Sequence, residues 1–245
     1  GSNLQDHLQI RTVYKVRNTV TLNKKVNSLF GLAKMGLEYL FLKRGPLTMP
    51  PSQLGAFAST SAEYPSPNIE WHVQPLSLDK FGEPLHKFNA ITPAVCNLRP
   101  TSRGEITIKS PQVSVHPTIK LNYLSTTEDQ EIAVEGLKFT RKIMKAKALQ
   151  RFEPLEWLPG KQAESDSELL DAARKLGTTI FHPVGTCKMG SDSEAVVDDK
   201  LRVRGLSSVR VIDASVMPTI TSGNTNAPTV MIAEKGAQFI LDHYQ

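Results

Sequence analysis

Apolar and polar positions fall into distinct periods along the chain, and each period predicts an element. Val26, Leu29, Phe30, Ala33, Leu37, Leu40 and Phe41 recur at helical spacing, which predicts a helix from about Lys24 to Leu42, ended by Gly45-Pro46. Lys24, Lys25, Lys34 and Lys43 fall mostly off that stripe. Such a stripe more often packs on its own domain, and a basic amphipathic helix resting on a membrane surface is the alternative. Pro46 to Pro67, rich in Pro, Ser and Gly, predicts a long loop. From Asn68 the period becomes two. Ile69, Trp71 and Val73 alternate with Glu70, His72 and Gln74, and Glu105 to Lys109 alternates likewise, with Ala90 to Leu98 a further apolar strand between them. Strands joined by loops, without a helix after each, predict a mostly antiparallel sheet.

Two helices carry start signals. Ser125 with Glu128, or Thr127 with Gln130, reads as a capping box before a helix whose face is Ile132, Gly136, Phe139, Ile143 and Ala146, running to about Leu149. Ser165 with Glu168 reads as a second box, and Gly177 stops that helix. In the last quarter, Val209 to Asp213 predicts a short strand ending in a carboxylate, Thr221 to Asn226 a polar turn, and Ala227 to about His243 a helix. Pro228 sits in its first turn, where a missing N–H costs nothing. The fold class is therefore α+β: a mostly antiparallel sheet covered by helices, followed by a strand-turn-helix piece.

Composition narrows the function. The chain has 245 residues, enough for one large domain or two small ones. Its 29 basic and 24 acidic residues leave a surplus of +5 that is too scattered for nucleic acid, and the densest basic stretch, Lys138 to Arg151, reads as the wet face of a helix. Cys96 and Cys187 stand apart, outside any C-x-x-C pattern, so neither a zinc site nor a disulfide framework is expected, and no metal. Reduced thiols fit a cytoplasmic protein. No apolar run approaches the roughly 18–20 residues of a membrane span, and no signal peptide is visible. The sequence opens Gly-Ser-Asn rather than with Met and reads as a piece of something longer.

Two polar clusters could carry chemistry. Pro183 pushes His182 toward extended backbone and Gly185 permits a tight turn after it, an arrangement that displays an imidazole as a general base. A hydrogen-bonded core histidine satisfies the same pattern. Asp213, at a strand's end, could fix cofactor hydroxyls, and a helix starting near Ala227 aims positive potential at whatever lies before Asn226. A plain strand-turn-helix is the simpler reading of the same residues.

The runs His182-Pro-Val-Gly-Thr-Cys-Lys-Met-Gly190, Val196-Val-Asp198, Leu201-Arg-Val-Arg-Gly205, Val209-Arg-Val-Ile-Asp-Ala-Ser-Val-Met-Pro218 and Gly223-Asn-Thr-Asn-Ala-Pro-Thr-Val-Met-Ile-Ala-Glu-Lys235 resemble the carboxy-terminal signature of the glucose–methanol–choline oxidoreductase family, closest to its choline dehydrogenase-like members. Asn3-Leu-Gln-Asp-His7 resembles the family's segment entering the substrate domain, and Leu98-Arg-Pro-Thr-Ser-Arg-Gly104 its central strand region.

The resemblance implies FAD, hydride passage from an alcohol's α-carbon to the flavin, and a primary alcohol oxidised to an aldehyde. It assigns His182 and Asn226 as the catalytic pair. Asp213 and Ala214 then lie along the cofactor's phosphate and ribityl portion, and Asn226, Pro228 and Thr229 face its ring. For a quaternary ammonium substrate, Phe181, Trp71 and Glu70 are the candidate cage. Residues 8–179 are expected to form the substrate domain, 180–195 the active-site loop, and 1–7 with 196–245 pieces of an FAD-binding α/β domain. The G-x-G-x-x-G turn that cradles the FAD pyrophosphate does not occur in this sequence. The chain alone is therefore expected to bind FAD weakly and show no turnover, its partners being the alcohol, an amino-terminal FAD-binding portion and an unspecified electron acceptor. Self-association is open, as are a neutral alcohol substrate, an oxidase activity and a non-catalytic binding role. A location peripheral to the inner face of a membrane is also open.

Overall fold

The computed structural model describes residues 1–244. Their contacts divide into two compact units: Gly1–Leu8, Asn97–Gln130 and the chain from Thr179 onward form the first, and Gln9–Cys96 with Glu131–Thr178 the second. Segment 97–130, expected with the sheet, groups instead with the chain's beginning. Gly104 bridges to Leu4, and Arg103 Nε donates to Asn3 Oδ1 at 3.1 Å.

The elements in order are β1 (Leu8–Arg11), β2 (Val13–Lys15), α1 (Leu22–Val26), α2 (Leu29–Leu42), β3 (Leu54–Ala58), β4 (Ile69–Gln74), β5 (Ala90–Asn97), β6 (Glu105–Thr107), β7 (Thr118–Lys120), α3 (Thr127–Met144), β8 (Leu155–Leu158), α4 (Asp166–Leu176), β9 (Gly177–Thr179) and α5 (Asn226–Tyr244). The main sheet runs β3-β4-β5-β1-β9, and β2 joins it through β5 and pairs with β8. The ladders β1–β5, β2–β5, β2–β8 and β3–β4 are all antiparallel, as the sequence pattern requires.

Three predicted elements change. The helix over Lys24–Leu42 breaks at Asn27-Ser28, where the Ser28 hydroxyl accepts from the Gly31 N–H at 3.3 Å and starts α2 afresh. Its stripe does not pack on its own unit: Met35 is the one buried residue of α2, while Leu29 and Phe30 are 88% and 80% exposed. The predicted loop 46–67 contains β3, an edge strand lacking period-two alternation but paired with β4 from Leu54↔Val73 to Ala58↔Ile69. Val209–Asp213 forms no ladder, since its bridging is limited to Arg202↔Arg210 and a strand needs a neighbour along its length.

The helix caps divide likewise. At α3 the cap is Thr126, whose Oγ1 accepts from the Asp129 N–H at 3.3 Å, not Ser125 or Thr127, and the helix stops at Met144. At α4 the Ser165–Glu168 box is present in both directions, with Glu168 Oε2 accepting from the Ser165 N–H at 2.9 Å. Those bonds from Ser165 hold the Glu168 carboxyl below its ordinary range.

In the second unit α3 lies on β5 and β4. A Cβ on Gly136 would come within 3.2 Å of Val95 Cγ2, so a glycine lets the helix approach the strand this closely. Trp71, 2% exposed, packs on Phe139 and donates its indole N–H to Thr140 Oγ1 at 2.8 Å. The first unit has a separate core of Val184, Val197, Leu201, Val216, Met217, Ile220 and Ile232. It joins the loop after His182, the turn after Asp213 and the inner side of α5.

Candidate active site

The amino-terminal segment holds the His182 loop. Gln5 and Val184 exchange backbone hydrogen bonds at 3.0 and 2.8 Å, and Asn3 Nδ2 donates to the Gly185 and Pro218 carbonyls at 3.3 and 3.1 Å. Gly185 has φ +93°, and a Cβ there would lie 2.3 Å from the Asn3 carbonyl oxygen, so the close approach requires glycine. The Ile220 N–H donates to Gln5 Oε1 at 2.8 Å, tying the segment that leads to α5 to the same strip of chain.

Asp6, buried, is the anchor. Its Oδ1 accepts from the His182 N–H at 2.9 Å, and its Oδ2 accepts from the Thr179 hydroxyl at 2.6 Å and from the Tyr123 hydroxyl. Burial, and then the bond to Asp6, push the Tyr123 phenol far above its ordinary range, so it remains a donor.

His7 sets the state of His182. Its Nε2 lies 3.0 Å from the Leu98 carbonyl, and its Nδ1 3.0 Å from His182 Nδ1. A carbonyl only accepts, so His7 Nε2 carries the proton. His7 is 0% exposed, where an imidazolium would be costly to desolvate. A neutral His7 has its lone pair on Nδ1, and His182 Nδ1–H donates to it. The remaining lone pair of His182 is thereby assigned to Nε2. The rings meet edge-on, at 82° with centroids 5.3 Å apart, and His182 is 8% exposed. The chain thus presents an oriented imidazole in the tautomer a general base requires.

The remaining residues expected on the cofactor side sit in the same unit. Asp213 is exposed and caps its own turn, with Oδ1 accepting from the Ser215 N–H at 2.8 Å and from the Ser215 hydroxyl. Ala214 follows it, half-buried. Asn226 is exposed in the first turn of α5, with half-buried Pro228 and Thr229 after it. Thr229 Oγ1 donates back to the Thr225 carbonyl at 2.7 Å. Phe181, 65% exposed at φ +67°, stands beside His182.

Trp71 and Glu70 lie in the second unit, on opposite faces of β4. Trp71 faces α3, its ring enclosed, whereas a cation cage needs a ring face open to the ligand. Glu70 faces the other way with His72 and Cys96, and their ligand-type atoms lie within 4.8 Å of one another. Glu70 Oε1 is 3.2 Å from His72 Nε2, outside hydrogen-bonding geometry, and Glu70 Oε2 and Arg11 Nη1 are buried without hydrogen-bond partners. Asp6, His7 and His72 were not among the site residues expected from the sequence. The run Asn3 to His7 was visible as a motif, but its tie to a residue 175 positions away was not.

A family model described as GMC oxidoreductase matches residues 100–233. An alcohol dehydrogenase [acceptor] of Pseudomonas putida is 40% identical over 98% of the chain and 44% of its own length. An oxygen-dependent choline dehydrogenase of Klebsiella pneumoniae is 39% identical over 98% of the chain and 43% of its own length. The chain thus spans less than half of these curated relatives. Among solved structures, a formate oxidase of Aspergillus oryzae studied for its FAD modification superimposes with a TM-score of 0.90 at 24% identity, over 98% of the chain and 47% of its own; that likeness is one of fold.

Proposed function

From the premise that the chain belongs to the GMC oxidoreductase family, we propose that it is the carboxy-terminal, substrate-side part of a cytoplasmic FAD-dependent dehydrogenase that oxidises a primary alcohol to an aldehyde. The observation that carries this reading is the Asp6–His7–His182 network, because it prepares a proton acceptor at His182 Nε2. FAD, when bound, supplies the hydride acceptor. His182 takes the hydroxyl proton at Nε2, and its Nδ1–H remains on His7. Asn226 offers its carboxamide to the alcohol oxygen.

The donor chemistry at the start of α5 fits a flavin edge. A helix of this length directs positive potential out of its first turn, and Asn226 adds an exposed amide there. Pro228 and Thr229 belong to the same ring-facing surface, and Asp213 and Ala214 to the phosphate and ribityl side. With no G-x-G-x-x-G turn in this sequence, the cofactor's pyrophosphate would be held outside this chain, whose curated relatives are more than twice its length, and this chain alone is expected not to turn over.

For the substrate, a choline-type alcohol is supported by Phe181, an aromatic ring 65% exposed beside the base. A neutral primary alcohol is the second reading. It is favoured by the enclosure of Trp71, which removes one ring from the cage. Dye-coupled turnover of the full-length enzyme, with choline against a neutral alcohol of similar size, separates the two. Absence of alcohol-dependent flavin bleaching with either substrate would overturn the dehydrogenase reading itself.

A further inference from the structure

Among the described residues, α2 and the turn after it carry an extended exposed apolar surface. Leu29, Phe30, Leu37, Leu40 and Phe41 are 88%, 80%, 55%, 60% and 74% exposed, and Leu47 in the following turn is 56% exposed. The helix packs chiefly on its sequence neighbours, α1 and the turn Pro46–Thr48. An open groove of about 520 Å³ runs along it, lined by Phe30, Ala33, Leu37 and Phe41 together with Lys34 and Arg44. Isolated apolar side chains on a surface need no explanation, but a whole helix of them marks a binding surface.

The charges around this helix indicate what covers it. Lys24 and Lys25 precede it, Lys43 and Arg44 follow it, and Lys34 lies within it, all exposed. The one carboxylate from Leu22 to Arg44 is Glu38, which pairs with Arg44 at 3.3 Å. The chain's whole net charge is +5, so this short segment holds most of the surplus. An apolar stretch bracketed by cations matches a lipid surface, where rings and leucines enter the acyl boundary and lysines reach back to anionic headgroups. The 14 residues of α2 extend only about 21 Å, against the ~30 Å hydrocarbon core. Among the described residues no helix is long and apolar enough to cross a membrane. A helix of this kind lies in the interface plane.

We propose that α1–α2 and the turn after it form a peripheral membrane-docking element selective for anionic bilayers. Its occupant is the headgroup and upper acyl region of a lipid leaflet. The test is co-sedimentation of the chain, and of the full-length protein, with phosphatidylcholine vesicles and with vesicles of equal parts phosphatidylcholine and phosphatidylglycerol. Both proteins are expected to bind the anionic vesicles at least about tenfold more tightly, with the preference shrinking as salt is raised. Phe30→Glu with Phe41→Glu, at positions too exposed to be needed for folding, is expected to abolish binding with the circular dichroism and melting temperature unchanged. Replacing Lys24, Lys25, Lys43 and Arg44 by Gln is expected to remove the anionic preference. Failure to bind either vesicle, or binding indifferent to the Phe30 and Phe41 changes, would overturn the proposal. So would binding by the chain but not by the full-length protein, because the face would then be an intramolecular one.

Discussion

Replacing His7 by Leu tests how the base is prepared. The side chains are of similar bulk, so the change chiefly removes two hydrogen bonds, each 3.0 Å long, to Leu98 O and His182 Nδ1. It leaves a buried carbonyl and a buried N–H without partners, at about 1–3 kcal/mol each, or about 2–6 kcal/mol in all. For a chain of this size each kcal/mol moves the melting temperature by about 2–4 °C, so a fall of about 4–24 °C is expected in thermal unfolding. The catalytic effect is separate. Without an acceptor opposite Nδ1, His182 is free to carry its proton on Nε2, where it cannot take one from the alcohol. General-base assistance contributes about 10²–10⁴ in rate, which bounds the expected loss of flavin reduction in the full-length enzyme. His7→Gln, whose amide both donates and accepts, is expected to recover a large part of that rate. Imidazole nitrogen shifts measured by NMR on the chain report the tautomer directly. If His7→Leu lowers the melting temperature but leaves both the rate of flavin reduction and the His182 tautomer unchanged, His7 is a packing residue and does not prepare His182.

Gly185→Ala is expected to destabilise the chain and displace the His182 loop, because φ +93° is strained for alanine and its Cβ would strike the Asn3 carbonyl; a wild-type melting temperature and activity would contradict the close approach. Trp71→Phe should lower stability through the lost Thr140 bond while leaving KM unaltered. By contrast Phe181→Ala should raise KM for choline and not for a neutral alcohol, and equal effects on both substrates would remove the cation contact. Tyr123→Phe bears on pH. A phenol whose folded pKa is raised contributes stability that is complete below its unfolded value of about 10 and is lost as pH rises above it. Loss of stability above about pH 10 should therefore be shallower in Tyr123→Phe than in wild type, although Tyr14, raised by burial and then by Glu156, retains part of the slope. Identical alkaline melts would count against the Tyr123 contribution.

What the sequence disclosed divides along physical lines. β4 and β5 were legible because six to eight residues suffice to show alternation or an apolar run. β1, β2, β8 and β9, of three or four residues each, are too short for either signal. The Ser165 box is a local device, and its spacing alone identified it. At α3 the spacing offered two boxes and the backbone used a third residue, Thr126, because the Asp129 carboxylate is engaged with the N–H groups of Thr101 and Ser102 at 2.9 and 2.8 Å. His182 and Asn226 stood out through their motifs. Asp6 and His7 needed the pairing of distant segments, which no periodicity carries. The helical stripe of α2 was legible as a stripe, but periodicity says nothing about what lies opposite.

The bond between His7 and His182 closes a chain separation of 175 residues. Between them lies the whole of the second compact unit, and the unit that contains them is assembled from three separate stretches. A chain emerging from the ribosome therefore holds Asp6 and His7 long before it holds anything for them to orient. The sheet's β3–β4 hairpin and the helices can form meanwhile, since their contacts are nearer in sequence. The pairing of His7 with His182 is accordingly a late product of folding, acquired only when the last quarter or so of the chain has returned to its beginning.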